Sequence, residues 1–393
     1  MPPFSERQLL MIPGPTPVPP RVLRALSRQV ISHRGPEYRE LMHATTTGLQ
    51  RVFQTEHEVI TYPASGTGAM ESALVNLFSP GDTILSLITG PFGARWAEIA
   101  EAHGLNVIRH ELEWGEAATK QNCELRIANC ELRIDGVLLT QNETVSGVTN
   151  DVRGIAELVR HSLLTTHHSP LLLVDAISGL GAIDLPMDEW GADVVVTGSQ
   201  KALMTPPGLS FVAIGPRAWE RHASARLPKF YWDWSRHRAG LASGENPYTP
   251  AVNLLFGLRE ALTMILEEIG LRENFARHDR LGRATRAGVQ ALGLRLFARD
   301  EAYASNAVTT VLPPDGLEVA QITKAMRERF NVTLAGGTSR LNGKVFRIGH
   351  VGYFSETDIL ATLSALGAVL HALGACDDAT AGVGAALEAF ART

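Results

Sequence analysis

Between residues 56 and 215, short apolar runs alternate with stretches of helical spacing, and that alternation constrains the fold more than any other feature. The runs are 59–62 (VITY), 83–88, 107–108, 137–140, 171–174, 194–197 and 211–214. Parallel strands are joined by crossover helices that cover both faces of their sheet, so each strand reads as a continuous apolar run. The pattern predicts an α/β fold with a mostly parallel sheet covered by helices. Further on, the spacing predicts two successive helices, from Val252 to Glu268, ended by Gly270, and from Leu271 to Leu292. Strand-like segments at Val308–Val311 and Val345–Ile348 follow, with helices between and beyond. This change of pattern divides the chain into an arm (1–15), a large domain (16–268) and a smaller C-terminal α+β domain (269–393).

Composition narrows the function classes. Apolar residues make up 45% and charged residues 20%, ordinary values for a globular protein with a large core and far from those of a disordered chain. The 36 basic and 41 acidic side chains leave a formal charge of −5, so no basic surplus points to nucleic acid. Three cysteines make no disulfide framework, and a reduced, cytoplasmic setting is expected. The first residues, MPPFSERQLLMIPGP, lack the apolar core of a secretory signal. The apolar stretch Ile359–Ala375 contains Thr362, Ser364 and His371 and reads as an amphipathic helix, capped by Ser355 and Asp358, not as a membrane span. Pro13 to Pro20 (PGPTPVPP) precedes a helical stretch and reads as an ordered entry arm, not as a ligand for a proline-binding module.

One heptad is duplicated: Asn122-Cys-Glu-Leu-Arg-Ile-Ala128 is followed at once by Asn129-Cys-Glu-Leu-Arg-Ile-Asp135. On a helix, Cys123 and Cys130 would stand about 10.5 Å apart along the axis, too far for a disulfide. On a strand they would face opposite sides. The repeat reads as a tandem duplication in a tolerant connection.

The chemistry concentrates at the ends of two apolar runs. Leu171-Leu-Leu-Val-Asp175 ends in a carboxylate, and Val194-Val-Val-Thr-Gly-Ser-Gln-Lys201 runs into a polar turn with a lysine. Strand ends are where an open α/β sheet presents its ligand site. A lysine and an acid so placed suit pyridoxal phosphate, which needs an amine for a Schiff base and a carboxylate for its pyridinium nitrogen. Ala64-Ser-Gly-Thr-Gly68 follows a strand and opens a helix, where backbone N–H groups and hydroxyls form an anion site fit for the phosphate. It lacks the third glycine of G-x-G-x-x-G and the lysine of a P-loop, which weakens dinucleotide and nucleoside-triphosphate readings.

With these pieces in place the chain resembles, nearly end to end, the class V aminotransferases of PLP fold type I, in their alanine–glyoxylate and serine–glyoxylate branch. The segments that carry the resemblance are PGPTPVP, SGTGAMESALVN with PGD, GPFGAR, QNETVSGV, LLLVDAISGLGAIDLPMDEWGADVVVTGSQKALMTPPGLSF, YTPAVNLLFGLREAL and GKVFRIGHVG. The region from about 117 to 135 departs from the family pattern. The resemblance implies that Lys201 carries the cofactor and shuttles the proton, that Asp175 binds the pyridine nitrogen, and that Ile177 and Phe92 pack its two faces. It further implies that Ser65, Gly66, Thr67 and Gln200 hold the phosphate and that Thr144 meets the 3-oxygen. Thr249 would reach a phosphate across a homodimer interface, and Arg347 would grip the substrate α-carboxylate as a planar fork.

The implied reaction is ping-pong transfer of an amino group from alanine or serine to glyoxylate, on small-molecule substrates, with no nucleic-acid, membrane or metal partner. The thirteen histidines, which include the pair His167-His168, show no metal-ligand spacing such as H-E-x-x-H, and no G-x-S-x-G elbow suggests a hydrolase. Two other readings stand beside it. A cysteine desulfurase shares the cofactor architecture, but Cys123 and Cys130 lie in the duplicated heptad and Cys376 follows the last apolar helix. A non-catalytic accessory subunit of a soluble hydrogenase is the other, and such a subunit has no evident need for Lys201, Asp175 and Arg347 together.

Overall fold

The computed structural model describes residues 8–128, 133–166 and 170–392, with the side chains of 125–128 and 161–166 left out. Seven strands form the main sheet, in the order Glu58–Tyr62, Ser210–Ile214, Val194–Gly198, Leu171–Asp175, Gly136–Thr140, Thr83–Ile88 and Asn106–Glu111. Ser210–Ile214 runs antiparallel to both of its neighbours, and every other pairing in the sheet is parallel. The expected mostly parallel sheet is therefore present, and Leu171–Asp175 is its central strand.

Period-two alternation explains why these strands read as unbroken apolar runs. Leu172 and Val174 join the core on one face, with Tyr38 and Leu41 of the helix Pro36–Phe53 and Leu255 of Val252–Thr263. Leu171 and Leu173 join the core on the other face, with Met70 and Leu74 of the helix Gly66–Leu77 and Trp96 of Pro91–Ala102. The inner strands bury both faces, so neither face can be polar, whereas the edge strand Asn106–Glu111 is partly exposed and carries polar residues.

The C-terminal part builds a second sheet of five strands, in the order Leu9–Met11, Val332–Gly336, Phe346–Gly349, Val308–Leu312 and Arg295–Leu296. Helices Leu271–Ala291, Val319–Phe330, Glu356–Ala372 and Ala381–Ala391 contribute to its core. The edge strand Leu9–Met11 comes from the N-terminal arm and pairs in parallel with 332–334. Beyond this strand the chain reaches the main domain, where Thr16 N donates to the Gln200 carbonyl at 3.1 Å.

Local readings hold in several places. Pro20–Leu26 is helical after the proline-rich stretch, and Ser355 with Asp358 forms a reciprocal capping box before Glu356–Ala372. The helix Val252–Thr263 continues as a π-helical turn, Met264–Ile269, to Gly270, whose φ of +86° suits glycine. The first copy of the heptad lies in the helix Lys120–Ala128 and its Cys123 is buried. Most of the second copy, with Cys130, lies outside the described residues, as do His167 and His168.

Candidate functional site

The cavity that matters sits at the C-terminal ends of the parallel strands, where an open α/β sheet binds its ligands. It has a volume of about 360 Å³, and Ser65, Gly66, Thr67, Phe92, Thr144, Asp175, Ile177, Gln200 and Lys201 all line it. Nine residues expected from the sequence thus meet in one place, Asp175 at the end of its strand and the others on the loops and helix starts beyond strand ends. Register explains part of the convergence. Asp175 pairs with Thr140, the end of the strand on one side, and with Val196 on the other, where the strand runs two residues further to Gly198, so the loops after these strands emerge on one side of the sheet.

Asp175 is 3% exposed. Its carboxylate accepts hydrogen bonds from the Ile177 backbone N–H at 2.9 Å and the Thr140 hydroxyl at 3.4 Å. Burial disfavours the charged form and pushes its pKa up to about 6, while those two donors and the positive charges of Lys201 and Arg95 work the other way. Lys201 Nζ donates to the carbonyl oxygen of Pro13 at 2.7 Å. Burial, and next the like charge of Arg347, lower its pKa to about 8, while Asp175 and Glu143 oppose the shift. The lysine peptide is held from the same arm, since Thr16 Oγ1 donates to the Lys201 carbonyl at 3.2 Å and Thr16 N to the Gln200 carbonyl at 3.1 Å.

The residues suit a phosphorylated aromatic cofactor on three observations. Ser65 is the N-cap of Gly66–Leu77, yet its side chain makes no capping hydrogen bond, so the hydroxyl and the helix N-terminus are both available to an anion. A Cβ on Gly66 would stand 2.5 Å from Ile177 Cδ1, so only glycine lets the turn pack beside that side chain. Gln200 Oε1 is buried without a hydrogen-bond partner in a protein where such atoms are normally satisfied.

Arg347 lies on the strand Phe346–Gly349 and is 9% exposed. Its Nε donates to the Gly336 carbonyl at 2.8 Å and its Nη1 to the Thr144 carbonyl at 3.3 Å, which sets the guanidinium against a cavity residue. Burial lowers its pKa, opposed by the negative charge of Glu143. Thr249 is exposed and does not line the cavity within this chain. Arg34 pairs with Glu245 at 2.6 Å on the surface and also donates to the Asn246 carbonyl.

Other lining residues were not singled out from the sequence: Gly14, Pro15, Met70, Arg95, Asn142, Ser178 and Pro207. Arg95 lies within GPFGAR, with its guanidinium 4.9 Å from the centre of the Phe92 ring. Asn142 follows Thr140 and exchanges hydrogen bonds with Ser178, at 2.9 Å from its Nδ2 and 2.8 Å to its carbonyl. Gly14 and Pro15 reach the cavity only because the arm joins the second sheet, a tertiary fact without a local signal. Among the described residues no group of three or more His, Cys, Asp or Glu is placed to hold a metal ion, and no helix is long and apolar enough to cross a membrane.

The sequence pattern of the class V aminotransferases matches residues 9–351. The chain belongs to that family. Its fold is PLP fold type I and its cofactor is pyridoxal phosphate. Among relatives, the class V chain is 44% identical to the soluble hydrogenase small subunit of Synechococcus sp. (strain PCC 6716), over 94% of this chain and 95% of that one. It is 38% identical to the serine–glyoxylate aminotransferase of Arabidopsis thaliana, over 94% and 91%. Among solved structures it superimposes on the ureidoglycine–glyoxylate aminotransferase of Bacillus subtilis with a TM-score of 0.91 and 30% identity, covering 98% and 99% of the two chains.

Proposed function

We propose that this class V aminotransferase moves the amino group of alanine or serine to glyoxylate by a ping-pong cycle, forming glycine. The observation that carries the reading is the shared cavity of Lys201 and Asp175, with Arg347 fixed beside it through Thr144. When bound, pyridoxal phosphate supplies an electron sink for the pair left as the substrate Cα–H bond breaks, and a place to keep the amino group between half-reactions.

The chain's own groups divide the remaining work. Lys201 Nζ, with its pKa lowered to about 8, is neutral in about a tenth of molecules at pH 7, far more than an ordinary lysine, and suits proton transfer as base and then acid. Asp175, fixed by Ile177 N–H and Thr140, presents a carboxylate to a ring nitrogen, and a cationic partner would favour its charged form. The N-terminus of Gly66–Leu77, with Ser65, Thr67 and Gln200, would hold the phosphate. Phe92 and Ile177 would bound the ring and Thr144 its 3-oxygen. Arg347 would take the α-carboxylate of amino acid and oxo acid alike, since its planar fork matches a carboxylate in two parallel hydrogen bonds. Small monocarboxylate substrates agree with the serine and ureidoglycine enzymes among its relatives, both of which use glyoxylate by name.

Thr249, exposed here, would complete the phosphate site of a second copy in a homodimer. A cytoplasmic setting accords with a chain of three cysteines. For a desulfurase, Cys123 is poorly suited: burial pushes its thiol up to about 11, and neither it nor Cys376 lines the cavity.

The name of the Synechococcus relative favours a second reading, an accessory role in a soluble hydrogenase. One experiment separates the two. The purified protein with pyridoxal phosphate should lose its visible band on addition of alanine or serine and regain it with glyoxylate. A protein that neither bleaches with any amino acid nor forms glycine would overturn the aminotransferase reading and leave the accessory role.

A further inference from the structure

Glu143 is wholly buried, stands next to Asp175 and Lys201 in the electrostatics of the site, and has no part in the scheme above. Burying a carboxylate is costly unless something holds it. What holds it is the start of the helix Pro91–Ala102: its Oε2 accepts from the Phe92 N–H at 2.9 Å, with Gly93 N–H also contributing. Its Oε1 accepts from Val145 N–H at 3.2 Å.

That helix cannot cap itself. Gly90, at the N-cap, has no side chain, and Pro91 has no N–H, so Phe92 carries the first free donor. The cap comes instead from a different segment, Asn142–Glu143, whose next residue, Thr144, lines the cavity and accepts from Arg347. A Cβ on Gly90 would stand 2.4 Å from Glu143 Cγ, so the glycine is what admits the carboxylate. A neutral amide could accept one of these hydrogen bonds without the repulsion that Asp175 exerts on Glu143. Burial, and less strongly Asp175, push the pKa of Glu143 itself up to about 7, so the carboxyl gains its charge as pH rises past neutrality, and the cations whose charged forms it then favours are Lys201 and Arg347.

We propose that Glu143 is a positioning residue that caps the helix beginning at Pro91, fixes Phe92 against the cofactor site and, in its ionised form, supplies a buried negative charge beside Lys201 and Arg347. The role rests on the family's cofactor and is independent of which amino acid and oxo acid react. The charged groups around it are Asp175, Lys201 and Arg347, with Arg95 one turn along the helix it caps.

The test uses two variants as holoenzymes. Glu143→Gln removes the charge, and Gly90→Ala keeps the carboxylate but pushes it from its seat. Gly90 has an extended φ of 171°, which alanine adopts freely, so steric displacement is the change that substitution makes. In Glu143→Gln, the pH midpoint of the bound cofactor's visible absorption should fall by about half a unit or more, because a positive charge at Lys201 loses its support. In Gly90→Ala, the dissociation constant for pyridoxal phosphate should rise about tenfold as Phe92 shifts. An unmoved midpoint in the first variant, or an unmoved dissociation constant in the second, overturns the proposal. Should Glu143→Gln fail to fold, the Gly90→Ala dissociation constant decides alone. Both readouts precede turnover, so they are independent of whether glyoxylate is the acceptor.

Discussion

Lys201 Nζ donates a hydrogen bond to the carbonyl oxygen of Pro13, 188 positions earlier in the chain, at 2.7 Å. The contact exists because Leu9–Met11 joins the second sheet and delivers the arm beneath the lysine. It ties the amine to both sheets at once. Gly14, the next residue, has a φ of +138°, and a Cβ there would lie 2.4 Å from Nζ. Gly14→Ala is therefore expected to displace the lysine and lower kcat by about tenfold or more, since small misplacements of a reacting group cost that much. Steady-state kinetics and the intensity of the visible band check this, and full activity would show that the arm gives way.

Lys201→Ala removes the only amine facing the cavity among the lining residues named here. Transamination should fall by about 100-fold to 10 000-fold, the usual worth of a positioned proton-transfer group. Treatment of the holoprotein with borohydride should add the cofactor's mass to the peptide containing Lys201 in the parent and leave the variant's peptide unchanged. Retained activity together with unchanged labelling elsewhere would assign the amine to another residue.

The raised pKa of Asp175 makes a prediction about stability in the cofactor-free protein. Below its unfolded value near 4, both states hold the proton and the group has no effect. Between about 4 and about 6 the folded protein keeps a proton that the unfolded chain has released, so stability falls as pH rises through this window. Above it, the full cost of the buried charge is present. Asp175→Asn deletes that cost and should flatten the decline between pH 4 and 6 by about 1–3 kcal/mol. Chemical denaturation of both proteins across that range measures it, and parallel curves would refute the assignment.

The two described cysteines should be dispensable. Cys123→Ser and Cys376→Ser are expected to retain activity within about twofold, because neither side chain touches the cavity. Cys123, with its burial-raised thiol, should react with a thiol reagent more slowly than half-exposed Cys376. Loss of activity on either substitution, or sulfide released from cysteine, would restore the desulfurase reading.

Much of this architecture was legible because its signals are local. Leu171–Asp175 and Val194–Gly198 read as buried strands since both of their faces are covered, and a strand's end is also where its chemistry emerges. Ser65 and Gly66 were legible as a helix start by the same logic. What escaped depends on contacts between distant segments. Nothing near Gly14 in the sequence says that it will meet Lys201, and nothing near Glu143 says that it will cap a helix beginning at Pro91. Thr249 marks the opposite limit: it is exposed and does not line the cavity of its own chain, so the role implied for it would need a second copy.

Arg347 offers the sharpest separation of binding from chemistry. Its Nε and Nη1 are held by the Gly336 and Thr144 carbonyls, so the fork is oriented before substrate arrives. A lysine would keep the charge but lose the planar pair of donors and both anchoring bonds together. Arg347→Lys should therefore raise KM for the amino acid and the oxo acid by about tenfold to 100-fold, in line with the loss of one charge-assisted, bidentate contact. In the proposed role the carboxylate would be gripped in ground and transition states alike, so kcat should change much less. The cofactor's own affinity should stay within about twofold, because Arg347 does not line the cavity proposed to hold it. A variant whose kcat collapses while KM stays put would show that Arg347 acts on the reacting atoms rather than on the carboxylate.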